Sequence, residues 1–325
     1  MRGIVFARWG PLMVVLMVMA MGVLGAKFEV PTKTEREEAV GSLRGLDAEL
    51  ARSFRDGGDF EEKREPGLGD WLNRHEEAGQ TYGQYLRSGA NKPMAGGRSK
   101  LYILPLGEFE REEEVLLLRL EAYLNCFYYP MKTEVLRPEP EVKFPRRARM
   151  NEGTGKQQWY TRSILGWLWT KLPPDAYGML GVTMEDLYPS DTANYVFGQA
   201  SYKSRVGVFS FARYDPQFFD RERSENFEDV MLRRSGKVLT HEMGHMFGIK
   251  HCIHYECNMN GVNHLREADR APMHLCPVCL RKLHSAIRFD PTGRYELLKE
   301  FYEKTGLEEE REWVEKRIKW IGSGR

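Results

Sequence analysis

The 325-residue chain carries 48 Lys and Arg residues against 47 Asp and Glu residues, so its formal charge is +1. That balance argues against a basic nucleic-acid-binding surface and against an acidic, solvating tail. With 42% hydrophobic and 29% charged residues, the composition excludes a polytopic membrane protein and suits a chain that buries a sizeable core. The five cysteines are too few for a small disulfide-built scaffold, and four of them fall between positions 252 and 279.

The first 26 residues have the pattern of an export signal. Arg2 and Arg8 precede an uncharged apolar run over residues 11–25, and small residues up to Ala26 suit a cleavage site. The run is shorter than the roughly 20 residues of a membrane-spanning helix. We therefore predict a signal peptide over residues 1–26 and a secreted or periplasmic, extracytoplasmic location. An uncleaved N-terminal membrane anchor is the alternative.

Residues 27–98 form a polar N-terminal extension that is rich in charged residues and glycine. Leu43, Leu46 and Leu50 are spaced three and four residues apart, which predicts an amphipathic helix within residues 35–54. Clusters of glycine and proline interrupt the pattern further along. The segment 70–86 contains Trp71, Leu72, Tyr82 and Tyr85 and is therefore expected to pack against another part of the chain.

Residues 99–325 alternate short apolar runs with amphipathic segments, which is typical of a single α/β or α+β domain. The expected strands cover residues 101–106, 132–136, 178–184, 194–200 and 206–213. The expected helices cover residues 110–123, residues 157–172, a segment from an N-cap at Ser224 to Gly248, and one or two segments within 293–320.

The long helix that ends near Gly248 carries the most specific motif of the sequence. His241 and His245 are four residues apart, so in a helix both imidazoles lie on one face and reach one metal ion. A positive φ at Gly248 lets the chain leave the helix and brings His251 back as a third ligand. Three neutral imidazoles leave one tetrahedral position of Zn²⁺ open for water, and Glu242 can accept a proton from that water. The pattern predicts a catalytic zinc site that hydrolyses peptide bonds, against the alternative of a helix with satisfied histidines.

Four cysteines follow the histidines directly. Cys252 and Cys257 form one pair and Cys276 and Cys279 a second, a spacing that suits a tetrathiolate zinc site. Such a site is structural, because no position is left for water, and it would fix the loop after His251. Two disulfides are one alternative, and an oxidising compartment favours them over thiolate ligands. A redox role for the Cys-x-x-Cys motif is another.

Cys126 and Met259 lie outside these two motifs. Cys126 is separate from the cysteine cluster and is expected to be a buried, unreactive packing residue. Met259 follows the third histidine closely and is expected to form a floor beneath the metal. The remaining histidines are expected to be surface or packing residues: His75, His254, His264, His274 and His284.

The run from His241 to His251 resembles the metzincin pattern His-Glu-x-x-His-x-x-Gly-x-x-His, and the later Cys-x₄-Cys-x-Met and Cys-x-x-Cys are similar to those of archaemetzincins. The similarity extends from about Asp70 to the C-terminus. It implies two zinc ions per chain, with Glu242 as general base and acid and Met259 in the Met-turn. The implied ligands are His241, His245 and His251 for the catalytic zinc and Cys252, Cys257, Cys276 and Cys279 for the structural zinc.

The resemblance also implies a fold. It is a compact α+β domain over residues 99–325, with a mixed five-stranded sheet, backing helices and an active-site helix. An edge strand is expected to pair with the substrate, and by its order in the chain that strand is 194–200. Residues 27–68 contain no cysteine, which excludes a cysteine-switch propeptide like that of matrixins.

Three functions remain open at this point. The first is a zinc metallopeptidase acting on peptide or protein substrates, and Glu256 and Glu267 are candidates to hold a free amine if it is an aminopeptidase. The second is a zinc-stabilised peptide-binding module without catalysis. The third is a latent protease held inactive by residues 27–98. Near-neutral charge argues against a nucleic-acid partner in each case.

Overall fold

The computed structural model describes residues 28–93, 97–140, 143 and 147–323. The predicted signal peptide, residues 1–26, lies outside these residues. Within the described ranges, no helix combines the length and apolar character needed to cross a membrane.

The described part of the chain contains α-helices and β-strands that are numbered in chain order. They are α1 (Lys33–Val40), α2 (Ala48–Ser53), α3 (Trp71–Arg74), α4 (Tyr82–Arg87), β1 (Lys100–Pro105), α5 (Arg111–Phe127), β2 (Lys132–Val135), β3 (Ala148–Met150), β4 (Gln157–Tyr160), α6 (Thr161–Lys171), β5 (Ala176–Thr183), β6 (Asp186–Tyr188), β7 (Gly198–Ser201), β8 (Val206–Ser210), α7 (Phe227–Met246), α8 (Leu265–Arg270), α9 (Pro277–Ile287), α10 (Pro291–Thr305) and α11 (Glu308–Gly322).

The central sheet has five strands in the order β2-β1-β5-β8-β7. Its first four strands are parallel neighbours, and β7 pairs antiparallel with β8 at one edge. All residues of β5 and β8 are buried, as expected for parallel strands covered on both faces. A second sheet of three strands has the order β3-β4-β6. The predicted mixed α+β architecture is therefore confirmed.

Two predicted helices are wrong in part. Residues 157–160 form strand β4, which pairs with β3 and β6, and the helix begins only at Thr161. Residues 35–54 contain two short helices instead of one, because Gly41 ends α1 with a φ of 77° and the Asp47 side chain caps the start of α2. The spacing of apolar residues alone does not predict the strand before α6 or the interruption between α1 and α2.

Three other boundaries shift. Strand β7 starts at Gly198, later than the predicted 194, and β8 ends at Ser210, where a 3₁₀ turn over Ala212–Tyr214 follows. Helix α7 begins at Phe227 with Asn226 as its N-cap instead of Ser224. The predicted C-terminal segment within 293–320 consists of two helices, α10 and α11.

Helix α7 lies across the core beneath the central sheet. Leu239, Met243 and Met246 are fully buried along one side of it. A Cβ at Gly178 of β5 would lie 2.8 Å from the Met246 sulfur, so the sheet and the helix are in close contact there. This packing fixes one side of α7. The opposite side carries His241 and His245.

The segment before β1 packs into the same core as the C-terminal helices. Val40, Phe54, Phe60 and Tyr85 are buried in one cluster with side chains of α9, α10 and α11. The buried guanidinium of Arg317 adds charged contacts to the Asp59 carboxylate. The division of the chain at residue 98 stays a prediction.

Candidate active site

The turn after α7 brings the third histidine back to the helix. The N–H groups of Gly248 and Ile249 donate to the carbonyls of His245 and Gly244, at 2.9 and 3.1 Å, and Gly248 has a φ of 81°. This is a Schellman C-cap, which favours glycine at the left-handed position. A Cβ at Gly248 would also lie 2.8 Å from the Cβ of Ala90. Both the backbone and the packing therefore require glycine in the turn.

The structure brings the three predicted histidines together, with their ligand nitrogens within 4.8 Å of one another. The Nδ1 atom of His241 lies 2.8 Å from the Asn258 carbonyl, and that of His245 lies 2.6 Å from the Ile249 carbonyl. Because a carbonyl only accepts hydrogen bonds, each Nδ1 carries the proton and donates it. The Nε2 atoms are left unprotonated.

These nitrogen atoms fit a zinc ion. The bare Nε2 atoms of His241 and His245 face each other at 2.9 Å, an arrangement of two lone pairs that a cation between them stabilises. The Nε2 atom of His251 is buried and has no hydrogen-bond partner. Burial lowers the pKa of His241 to about 3 and that of His245 well below its usual value, so both rings are neutral, as metal ligands must be. Three neutral imidazoles are a common donor set for catalytic Zn²⁺.

Glu242 is buried and lines two cavities, one together with His241 and His251 and the other together with His245. Its Oε2 atom has no hydrogen-bond partner, and burial raises the pKa of the carboxyl to about 8. A cation held by the neighbouring histidines would lower this pKa again, so that the carboxyl ionises and can accept a proton from a group in the cleft.

The cavity next to His241 is apolar. Its walls include Trp71, Phe197, Tyr214, Val238, Val262 and Ala271. Two cationic side chains also line it, and both have hydrogen-bond partners. Arg234 donates to the Asp269 carboxylate at 2.8 and 2.7 Å. The Lys237 ammonium donates to the backbone carbonyls of residues 268 and 271 at 2.6 and 3.0 Å. With these charges satisfied, the cavity suits an uncharged side chain.

Strand β7 runs along the cleft between the two cavities. Gly198 lines the apolar cavity, and Ala200 lines the second cavity with Tyr202 and Gly248. In the described part of the chain, the edge of β7 away from β8 pairs with no other strand. Its free backbone groups are therefore available to an extended peptide.

The four predicted cysteines form a closed cluster. Their sulfur atoms lie within 4.8 Å of one another and all four residues are buried. The sulfurs of Cys252 and Cys276 are 3.5 Å apart, well beyond a disulfide bond, and none of the four is disulfide-bonded. Backbone N–H groups of Met259 and Cys276 point at the Cys257 sulfur, at 3.4 and 3.2 Å. The donor set and these contacts suit a tetrathiolate metal site.

Met259 is fully buried beneath the histidine-bearing part of α7. A Cβ at Gly244 would lie 2.5 Å from the Met259 sulfur, so the methionine packs directly against the helix between His241 and His245. The backbone carbonyl of Met259 also accepts from the Cys252 N–H at 2.7 Å. Its Met-turn role stays a prediction.

Several other predicted residues lie away from the histidines. Cys126 is only partly buried, although burial raises the pKa of its thiol to about 11. Glu256 pairs with Lys63, and Glu267 accepts from the Trp71 and Asn263 N–H groups. Both carboxylates line a separate polar cavity, so the structure does not bring them to the histidine site.

One site residue was missed entirely by sequence reasoning. The Oε1 atom of Glu77 lies 2.6 Å from the Nδ1 atom of His251, 174 positions further along the chain. Glu77 is in the polar extension, between α3 and α4, and has no motif around it. No periodicity or spacing in the sequence connects it to the histidines.

The chain resembles known proteins in sequence. Residues 175–285 match the family described as Peptidase family M54. The chain is 38% identical over 254 residues to archaemetzincin-2 of Rattus norvegicus and 37% identical to that of Homo sapiens, in both cases covering 70% of this chain and 71% of the relative. Among solved structures, the archaemetzincin of Methanopyrus kandleri is 27% identical with a TM-score of 0.44, and the match covers 59% of this chain and 97% of that chain. The extent and identity of the archaemetzincin-2 matches show that the chain belongs to the archaemetzincins, a family of zinc metallopeptidases.

Proposed function

We propose that this chain hydrolyses peptide bonds at a metzincin-like site, with zinc held by His241, His245 and His251 and with Glu242 as general base and acid. The observation that carries the proposal is the convergence of three Nε2 atoms beside a buried carboxylate that has no other partner. When bound, zinc lowers the pKa of water to about 7 and polarises the scissile carbonyl.

The protein's own residues perform the proton transfers and the positioning. Glu242 receives the proton of the attacking water on its carboxylate and then donates it to the nitrogen of the leaving amine. Strand β7 binds the substrate backbone by strand addition, which places the scissile bond beside Glu242. The apolar cavity next to His241 receives one uncharged substrate side chain.

The test is a peptide-library digest read by mass spectrometry, comparing the zinc-loaded protein with its Glu242→Gln variant. General acid–base catalysis supplies about 100- to 10,000-fold, so kcat/KM falls by that factor while zinc content and fold persist. The matched control is Glu225→Gln, a change at an exposed glutamate before α7 that leaves the rate unchanged. A Glu242→Gln protein that cleaves as fast as the wild type shows that the assigned base is wrong.

For the cysteine cluster we propose a structural zinc on Cys252, Cys257, Cys276 and Cys279, which gives two zinc ions per chain. The support is the closed, buried arrangement of four sulfurs without a disulfide. A peptide-binding module without catalysis predicts a different result, a single zinc ion that resists mild chelation. Metal analysis of the purified chain separates the two.

We also propose an extracytoplasmic location, which rests on the charged and apolar pattern of residues 1–26. The mass of the protein recovered after fractionation distinguishes a cleaved signal from a retained anchor. Recovery of the uncleaved chain in the cytoplasm alone contradicts the proposal. Metal and thiol analysis of the same material shows whether the four cysteines stay thiolates in that compartment.

A further inference from the structure

The segment 77–85, here called the clamp, contacts the turn that carries the third histidine. The Gln80 side chain bridges this turn, donating to the Gly248 carbonyl and accepting from the Lys250 N–H, each at 3.2 Å. The buried hydroxyl of Tyr85 donates to the Phe247 carbonyl at 3.0 Å. The clamp therefore binds three backbone groups of the turn, those of Phe247, Gly248 and Lys250.

The clamp reaches this position because the backbone of Gly79 adopts a left-handed conformation. Gly79 has a φ of 64°, and a Cβ there would lie 2.6 Å from a side-chain carbon of Ile253. The close approach places the Glu77 carboxylate 2.6 Å from the Nδ1 atom of His251. The Trp71 ring packs edge-on against the same imidazole, with ring centroids 5.1 Å apart.

We propose that Glu77 is a positioning residue for His251, so that the polar extension supplies the carboxylate that completes the histidine site. The inference rests on the proposed function, because it takes His251 as a metal ligand. By accepting from Nδ1–H, the carboxylate fixes the tautomer and the orientation of the ring and makes its Nε2 atom a stronger donor to a metal.

The three histidines differ in their need for such a partner. His241 and His245 are held by the rigid helix α7 and by backbone carbonyls that cannot be removed by mutation. His251 lies beyond the end of that helix, in a turn without regular structure. Its orientation depends on side-chain contacts, and Glu77 makes the shortest of them.

This assignment opposes a latent protease held inactive by residues 27–98. A segment that orients a metal ligand and contributes buried side chains to the core is part of the active protein. Its loss weakens metal binding instead of releasing activity.

The experiment measures the zinc dissociation constant of the histidine site in the full chain by competition with a chelating dye. Loss of a partner that orients a ligand costs about 10- to 100-fold in metal affinity, so Glu77→Leu weakens binding by that factor. Glu77→Gln keeps the shape and an accepting oxygen but loses the charge, so its affinity falls between those of the leucine variant and the wild type. The control, Glu76→Gln, changes the exposed neighbouring glutamate and leaves the affinity unchanged.

A second readout separates positioning from general destabilisation. The visible spectrum of the cobalt-loaded protein reports the ligand geometry, and it changes in Glu77→Gln even where the melting temperature of the metal-free protein equals that of the wild type. An unchanged spectrum and unchanged zinc affinity in both Glu77 variants overturn the inference.

His241→Ala distinguishes this failure from failure of the proposed function. If that variant loses one zinc ion while the Glu77 variants bind like the wild type, only the role of Glu77 is wrong. If His241→Ala binds as much zinc as the wild type, the histidine site itself is wrong.

Discussion

The histidine and cysteine clusters are neighbours in the chain, since His251 is followed directly by Cys252, yet their environments are opposite. The histidines are reached from two cavities and lie beside a buried carboxylate. The cysteines are buried, and none of them lines either of the two cavities beside the histidines. Under the proposed assignment, access from a cavity and an adjacent proton acceptor separate the reactive centre from the structural one.

A mild chelator is expected to produce the largest difference between the two clusters, measured as the metal that each retains. A mild chelator removes metal from the accessible histidines, so peptidase activity falls to the level of the Glu242→Gln protein. Metal at the cysteines is retained, because its release requires local unfolding of buried structure. Metal content measured alongside activity checks this. If both ions leave together, or if activity survives the loss of the first, the contrast between the clusters is broken.

Cys279→Ser should act on stability. Structural zinc supplies about 10–16 kcal/mol of apparent binding free energy in small domains, so removal of one thiolate costs at least about 3 kcal/mol of unfolding free energy. The measurement is denaturant unfolding with metal analysis. Cys126→Ser, outside the cluster, serves as the control and changes stability by no more than about 1 kcal/mol. Equal stability of the Cys279→Ser protein and the wild type contradicts a structural metal.

Val262→Phe should change selectivity without changing either metal. Val262 lines the apolar cavity beside His241, and a larger side chain there narrows it. Because one methylene in an apolar pocket is worth about 10-fold or more in discrimination, kcat/KM for a substrate with a large apolar side chain falls at least 10-fold relative to one with a small side chain. Paired peptides that differ at one position measure this ratio, and an unchanged ratio removes the cavity from substrate binding.

Met259→Leu should have the smallest effect. The methionine packs against Gly244 and is fully buried, and a change that conserves volume costs less than about 1.5 kcal/mol. Zinc affinity stays unchanged in this variant. Gly244→Ala, which places a Cβ 2.5 Å from the Met259 sulfur, is the sharper counterpart and destabilises by about 1–3 kcal/mol. A loss of zinc in Met259→Leu would give the methionine sulfur a direct role at the metal.

The sequence predicts those parts of the molecule in which the residues that act together are close along the chain. His241, His245 and His251 are joined by one helix and one turn, so their spacing determines their geometry. The two cysteine pairs are likewise local, with only the short helix α8 and its flanking loops between them. Strand β4 shows the limit. Trp159 extends the apolar spacing of the helix that follows, yet the Gln157–Tyr160 segment forms a strand because it pairs with β3 and β6.

The remaining parts depend on contacts between distant residues. The cavity walls come from Trp71 of α3, from β7 and from the loop around Val262, and no periodicity brings these together. Glu77 is separated from His251 by 174 positions. Its role follows only from the packing of the polar extension against the turn after α7, which the sequence does not encode in any local pattern.

That separation has a consequence for biosynthesis. Translation produces Glu77 first, the helix with His241 and His245 much later, and Cys279 later still. The Glu77 carboxylate, the three imidazoles and the four cysteines can therefore come together only after residue 279 has been made. A chain that stops before Cys279 therefore lacks part of the cysteine cluster that follows the histidines.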